Sequence, residues 1–171
     1  MKGIIIYAGK YGATCQYAQW LADTLKFPVL PAEKATAASL QGYDSIILGS
    51  SVYIGKLVIR RWLQQHESAL AGKQLFLFIV CGSAGANNKE QDKLLDNNLS
   101  AAIRQQAKIF FMPGRCVISK LSFKDRLLLR LGSMLVKDAA QKAGMRNGFD
   151  LMNRKALDGL IGEFGWHSAL I

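Results

Sequence analysis

Lys2-Gly3-Ile4-Ile5-Ile6-Tyr7-Ala8-Gly9-Lys10-Tyr11-Gly12-Ala13-Thr14 is the stretch from which the rest of the chain can be read. Gly3 to Tyr7 is a short, apolar, largely β-branched run, the pattern of a strand buried on both faces. It breaks into small residues from Ala8 to Thr14, and an apolar stripe at helical spacing then begins at Cys15. A strand that passes through such a loop into a helix leaves unpaired backbone N–H groups at the positive end of the helix dipole, which makes an anion site. Gly9 and Gly12 allow close backbone approach, Thr14 can cap the helix or donate its hydroxyl, and Lys10 adds charge. From this stretch alone a ligand loop and a plain βα turn remain equal readings.

The same grammar recurs downstream. Cys15 to Lys26 reads as a helix with Tyr17, Ala18, Leu21, Ala22 and Leu25 on one stripe. Val29-Leu30 between two prolines is a short edge strand. Asp44 to Gly49 is a second buried strand, which ends in Ser50-Ser51-Val52-Tyr53-Ile54-Gly55, and a helix is expected over 56–70. Gln74 to Cys81, QLFLFIVC, is the strongest strand signal and ends in Gly82-Ser83-Ala84-Gly85 and the residues after them. A single helix over 89–106, a strand over 108–112 and a continuation over 115–119 complete the pattern. Five strands alternating with helices predict an α/β fold, a doubly wound five-stranded parallel sheet. In such a sheet ligands bind beyond the carboxyl ends of the strands, and all three small-residue loops fall on that edge.

At 171 residues the chain is one domain by length, with half of its residues hydrophobic and a fifth charged. Met1-Lys2-Gly3 runs directly into the first strand, so a signal peptide is not expected, and no apolar run is long enough to span a bilayer. Cys15, Cys81 and Cys116, with two histidines, give neither a metal-ligand spacing nor a disulfide framework. The expected setting is cytoplasmic. Cys15, Cys81 and Cys116 read as packing residues, and His66 reads as part of a solvated helix face.

The net charge of +10 is unevenly placed. Residues 108–155 carry eleven basic and three acidic side chains, whereas residues 1–107 carry eleven and seven. Within the basic third, Ser122 to Lys137 drawn as a helix puts Arg126, Arg130, Ser133 and Lys137 on one arc. Phe123, Leu127, Leu128, Leu131, Met134 and Leu135 cover the opposite side. Two readings stay open for this extra helix: packing of its apolar face on its own domain, or a surface for a partner, an acidic substrate or an anionic membrane through Lys124, Arg126, Arg130 and Lys137. Nucleic acid is not among the expected partners, because the patch lacks interleaved aromatics and any reader motif.

The loop Ala8–Thr14, with Gly12 and Thr14 in place, resembles the phosphate loop of flavodoxin-like proteins. Ala8 and Gly9 stand where that family usually has hydroxyls. Lys10, the loop Gly49–Gly55 and the basic segment from Arg115 to Arg126 are similar to the flavodoxin-like, quinone-dependent protoporphyrinogen oxidases. The resemblance implies FMN as cofactor. Lys10, Tyr11, Gly12, Ala13 and Thr14 would lie around its phosphate, with Tyr53 stacked on its ring. Ser50, Ser51, Val52, Ile54, Gly55, Gly82, Ser83, Ala84 and Gly85 would lie around the ring edge. It implies an oxidoreductase or electron carrier with a redox partner or small-molecule substrate, in contact with the inner face of the membrane. The alternative is a non-catalytic module of the same fold that binds a partner or membrane through the basic helix.

Overall fold

The computed structural model describes residues 2–82 and 88–165. Strand β1 (Gly3–Ala8) lies inside the sheet and leads through the small-residue loop into helix α1 (Ala13–Leu25). The chain then adds β2 (Val29–Pro31) on one side of β1, and β3 (Ser45–Tyr53) on the other, both parallel to it. A two-residue strand β4 (Lys56–Leu57) folds back on the end of β3, and helix α2 (Arg60–Leu70) follows. Strand β5 (Gln74–Cys81), helices α3 (Asn88–Asn98) and α4 (Ala101–Gln106), and strand β6 (Ala107–Pro113) extend the sheet outward. The strand order is β2-β1-β3-β5-β6, with β4 attached only to β3. The chain leaves β1 in one direction and β3 in the other, so the switch point lies between their carboxyl ends.

The strands lack polar alternation because both of their faces are covered. Ile4, Ile6, Ile46, Leu48, Leu75, Leu77 and Ile79 pack with Trp62, Leu63, Leu70, Leu95 and Ile103 of α2, α3 and α4. Ile5, Ile47, Phe76, Phe78 and Val80 face the other way, against Tyr17, Ala18, Leu21 and Leu25 of α1. A period of two on a strand sends neighbours to opposite layers, so a continuous apolar run is what two cores require.

Beyond β6 the chain leaves the sheet. The Gly114 N–H donates to the Cys81 carbonyl (3.1 Å), and β7 (Arg115–Cys116) pairs antiparallel with β8 (Phe149–Asp150). Between them lie α5 (Phe123–Leu135) and α6 (Ala139–Asn147), so this short ribbon closes the base of a helical excursion. The expected strand continuation over 115–119 is thus an arm of this ribbon and does not extend the sheet. The chain returns through a 3₁₀ turn at Arg154–Leu157 to α7 (Asp158–Gly162), which seals the α1 layer through Leu157, Leu160 and Ile161.

Two further expectations are corrected. The helix over 89–106 is broken at Ser100, whose extended backbone (φ −68°, ψ 159°) and hydroxyl cap the second piece through Ile103 N–H. Residues 56 and 57 form a hairpin arm because Ile54 (φ 49°) and Gly55 (φ 69°) turn the chain back with two positive φ values. Helix α2 therefore starts only at Arg60.

The returning segment is fastened by one phenol. Tyr17, fully buried, donates to the Pro113 carbonyl (2.8 Å) and accepts from the Asn153 N–H (3.1 Å). Tyr17→Phe leaves both backbone groups without this partner. Chemical denaturation should show a loss of about 1–3 kcal/mol, as for other unsatisfied buried groups.

Candidate functional site

The loop Gly9–Gly12 carries the chain from β1 into α1, and no side chain caps that helix. Its N-cap is Gly12 in the left-handed region (φ 87°). The first turn therefore offers its backbone N–H groups without a side-chain acceptor. Thr14 is buried in this turn, and its Oγ1 has no hydrogen-bond partner among the described residues; the same holds for the buried Oγ of Ser51. Both hydroxyls bracket Gly9: a Cβ there would lie 2.7 Å from Thr14 Oγ1 and 3.7 Å from Ser51 Oγ. The nearest hydroxyls to a Cβ built at Gly9 are therefore those of Thr14 and Ser51. Two buried hydroxyls left unused beside an uncapped 13-residue helix form a donor set suited to an anion such as a phosphate monoester.

The second loop is rigid for identifiable reasons. Val52 pairs with Leu57 and Tyr53 with Lys56 across the Ile54-Gly55 turn. The buried Asn98 amide clamps that turn: its Oδ1 accepts from Leu57 N–H (2.9 Å), and its Nδ2 donates to the carbonyls of Gly55 (3.0 Å) and Leu94 (2.8 Å). Ser50 is fully buried and its hydroxyl is committed, donating to the Ser51 carbonyl and accepting from Ile59 N–H. Ser50 therefore fixes the start of α2. Ala13 is a packing residue of the α1 layer.

Lys10, Tyr11 and Tyr53 converge on Asp125, in the first turn of α5. Lys10 Nζ lies 2.7 Å from Asp125 Oδ2, Tyr53 OH donates to Oδ1 at 2.6 Å, and Tyr11 OH donates to Oδ2. The Asp125 side chain is only 6% exposed, and its backbone N–H is capped by Ser122 Oγ (3.1 Å). Lys10 Nζ also sits 3.7 Å from the centre of the Tyr53 ring, a cation–π contact. Tyr53 is thus fixed at its hydroxyl and on one ring face. Hydrogen bonds from Lys10, then from Tyr11 and Tyr53, hold the Asp125 carboxyl well below the usual carboxylate range. Asp125, followed by Tyr53, holds the Lys10 ammonium above the ordinary lysine value.

Tyr11 is half-buried and its hydroxyl is tied to Asp125 of α5. His66, expected on a solvated face, stacks on Trp62 (ring centres 4.3 Å apart) and contacts the Trp62 carbonyl through Nδ1. Gly82 is close to Phe149, whose ring would meet a Cβ at 2.8 Å, so the third loop starts against the ribbon of the excursion. Ser83, Ala84 and Gly85 lie outside the described residues. Lys124, Arg126, Arg130 and Lys137 are all exposed. Asp125 and Asn98 received no role from the sequence. Asp125 had a signal, since Ser122-Phe123-Lys124-Asp125 has the spacing of a helix start and holds a lone acid in a basic run. Asn98 had none.

A sequence profile of the flavodoxin domain matches residues 4–142, from β1 into α6. The chain belongs to the flavodoxin domain family. Among solved structures, oxidised flavodoxin 1 of Bacillus cereus is similar at 21% identity and a TM-score of 0.47, covering 73% of this chain and 89% of that one. A Lactobacillus acidophilus flavoprotein in complex with FMN is similar at 16% identity and a TM-score of 0.43, covering 66% and 91%. A flavodoxin from the domain Archaea gives 16%, 0.45, 66% and 83%. No curated protein matches by sequence.

The tie has a defined pH range. Because the Asp125 pKa is lowered, its contribution is complete above the ordinary carboxylate value, about 4, and is lost as pH falls through the lowered value. The raised Lys10 pKa makes that contribution complete below the ordinary lysine value, about 10, and lost as pH rises through the raised one. After correction for intrinsic exchange rates, amide protection of residues 9–14 and 123–135 should be level between about pH 5 and 9. Asp125→Asn should lower it across that whole range.

Proposed function

We propose that this flavodoxin domain binds FMN and serves as a redox protein, an oxidoreductase or electron carrier. The observation that carries the reading is the pair of buried hydroxyls, Thr14 Oγ1 and Ser51 Oγ, that have no partner among the described residues, beside the uncapped start of α1. With the first-turn N–H groups they would hold the phosphate, with no need of Lys10, whose charge is already paired with Asp125. Bound FMN would supply electron transfer in steps of one or two electrons. The remaining roles fall to this chain. Tyr53 offers a ring held in place by Asp125 and Lys10 as cover for the isoalloxazine. Asn98 keeps the Ile54-Gly55 turn, and with it the ring-edge backbone, in position.

Addition of FMN to the purified protein should give a bound-flavin visible spectrum and quench the free flavin's fluorescence. Thr14→Val removes one hydroxyl donor to a charged group and should weaken binding roughly tenfold or more, in line with about 1.5–3 kcal/mol for such bonds. A protein that stays colourless with FMN present would favour the non-catalytic module.

A narrower reading, protoporphyrinogen-oxidase-like activity linked to a quinone, is supported by the basic excursion standing beside the two loops. It is checked by oxidation of protoporphyrinogen by the FMN-loaded protein with a quinone as acceptor. Activity that depends on both FMN and the quinone is the expected result.

A further inference from the structure

Helix α5 is turned inside out. Its buried positions are Asp125 and Ser133, while Phe123 is 80% exposed, Leu131 53%, Met134 68% and Leu135 87%. Leu127 and Leu128 are exposed as well. The inward face is held by polar and small residues. Asp125 binds the two loops, Ser133 Oγ accepts from Arg146 Nε (3.4 Å), and at Gly132 a Cβ would come 3.0 Å from the Met145 side chain of α6. Of the two readings open for this helix, packing of its apolar side on its own domain is not what is seen: that side faces away from it.

We propose that the outward face of α5 is a binding surface for an anionic lipid bilayer, with the helix lying in the plane of the interface. This goes beyond the redox reading and stands without it. Six large apolar side chains share that face, exposed Arg126 and Arg130 border it on the helical wheel beside Phe123 rather than lying opposite it, and exposed Lys137 follows just past the helix end at Leu135. Together with Lys124 these long basic side chains can reach lipid phosphates while the apolar groups enter the acyl boundary. Charge selects among occupants. The region 108–155 holds eleven basic against three acidic residues, so two copies meeting through α5 would bring like charges together, whereas an anionic leaflet attracts each of them. Thirteen residues of helix span about 20 Å, short of the roughly 30 Å of a bilayer core, so α5 lies on the surface. Ile54, 67% exposed in the left-handed region (φ 49°), adds an apolar tip to the loop that Tyr53 ties to α5. The same tie keeps the flavodoxin loops beside the lipid-binding helix.

The test is co-sedimentation of the full chain with phosphatidylcholine vesicles, with and without phosphatidylglycerol. Binding should need the anionic lipid and weaken as salt rises. The double variant Arg126→Glu with Arg130→Glu should lower affinity more than tenfold. Leu131→Asp with Leu135→Asp should abolish vesicle binding while leaving the melting temperature unchanged or higher, because both side chains are exposed in the folded chain. Failure to bind either vesicle type, equal binding to neutral vesicles, or unaltered binding by both double variants would overturn the proposal. So would concentration-dependent dimerisation, in the absence of lipid, that Leu131→Asp with Leu135→Asp abolishes, since the face would then belong to a second copy.

Discussion

The Asp125 carboxylate ties helix α5 to the two loops at the switch point of the sheet. It accepts hydrogen bonds from Lys10 and Tyr11 of the first loop and from Tyr53 of the second, and Asp125 itself lies 115 residues after Lys10. A carboxylate this buried needs several donors to offset its lost hydration, and three side chains supply them. The converse also holds, since the Lys10 ammonium and two phenols are oriented by one acceptor. Geometry at the switch point of the sheet thus depends on a helix that is no part of the basic α/β sandwich.

That constraint explains the orientation of α5. An amphipathic helix usually turns its apolar face to the core. Here the strongest contacts available are polar, so the helix docks through Asp125 and Ser133 and presents its leucines outward. The sheet has no need of those leucines, because its two layers are already closed by α1 with α7 and by α2 with α3 and α4. The excursion is an added surface on a complete core, bounded at its base by the β7–β8 ribbon.

The site combines fixed and uncommitted groups. Tyr53, Asn98 and Ser50 are fully engaged in positioning the second loop. Thr14 and Ser51 keep buried hydroxyls without partners among the described residues, which is costly in a folded protein unless something else satisfies them. Such a cost is commonly found where a ligand completes the hydrogen bonding, and its place beside the start of α1 fits the phosphate end of a nucleotide better than the ring end.

The amino-acid sequence alone is enough for the five main strands, the parallel α/β class, the loop at Ala8–Thr14 and the existence of an amphipathic basic helix after the last long strand. These are local properties: period, β-branching, glycine placement and charge are written in neighbouring residues. It did not determine which way that helix faces, because a periodic apolar stripe specifies that a face exists and not what stands opposite it. Nor did it reveal that Lys10 is paired, that Asn98 clamps the Ile54-Gly55 turn, or that Thr14 and Ser51 are left with unused hydroxyls. Each of these depends on contacts across tens of residues, and only the packed tertiary structure decides which donor reaches which acceptor.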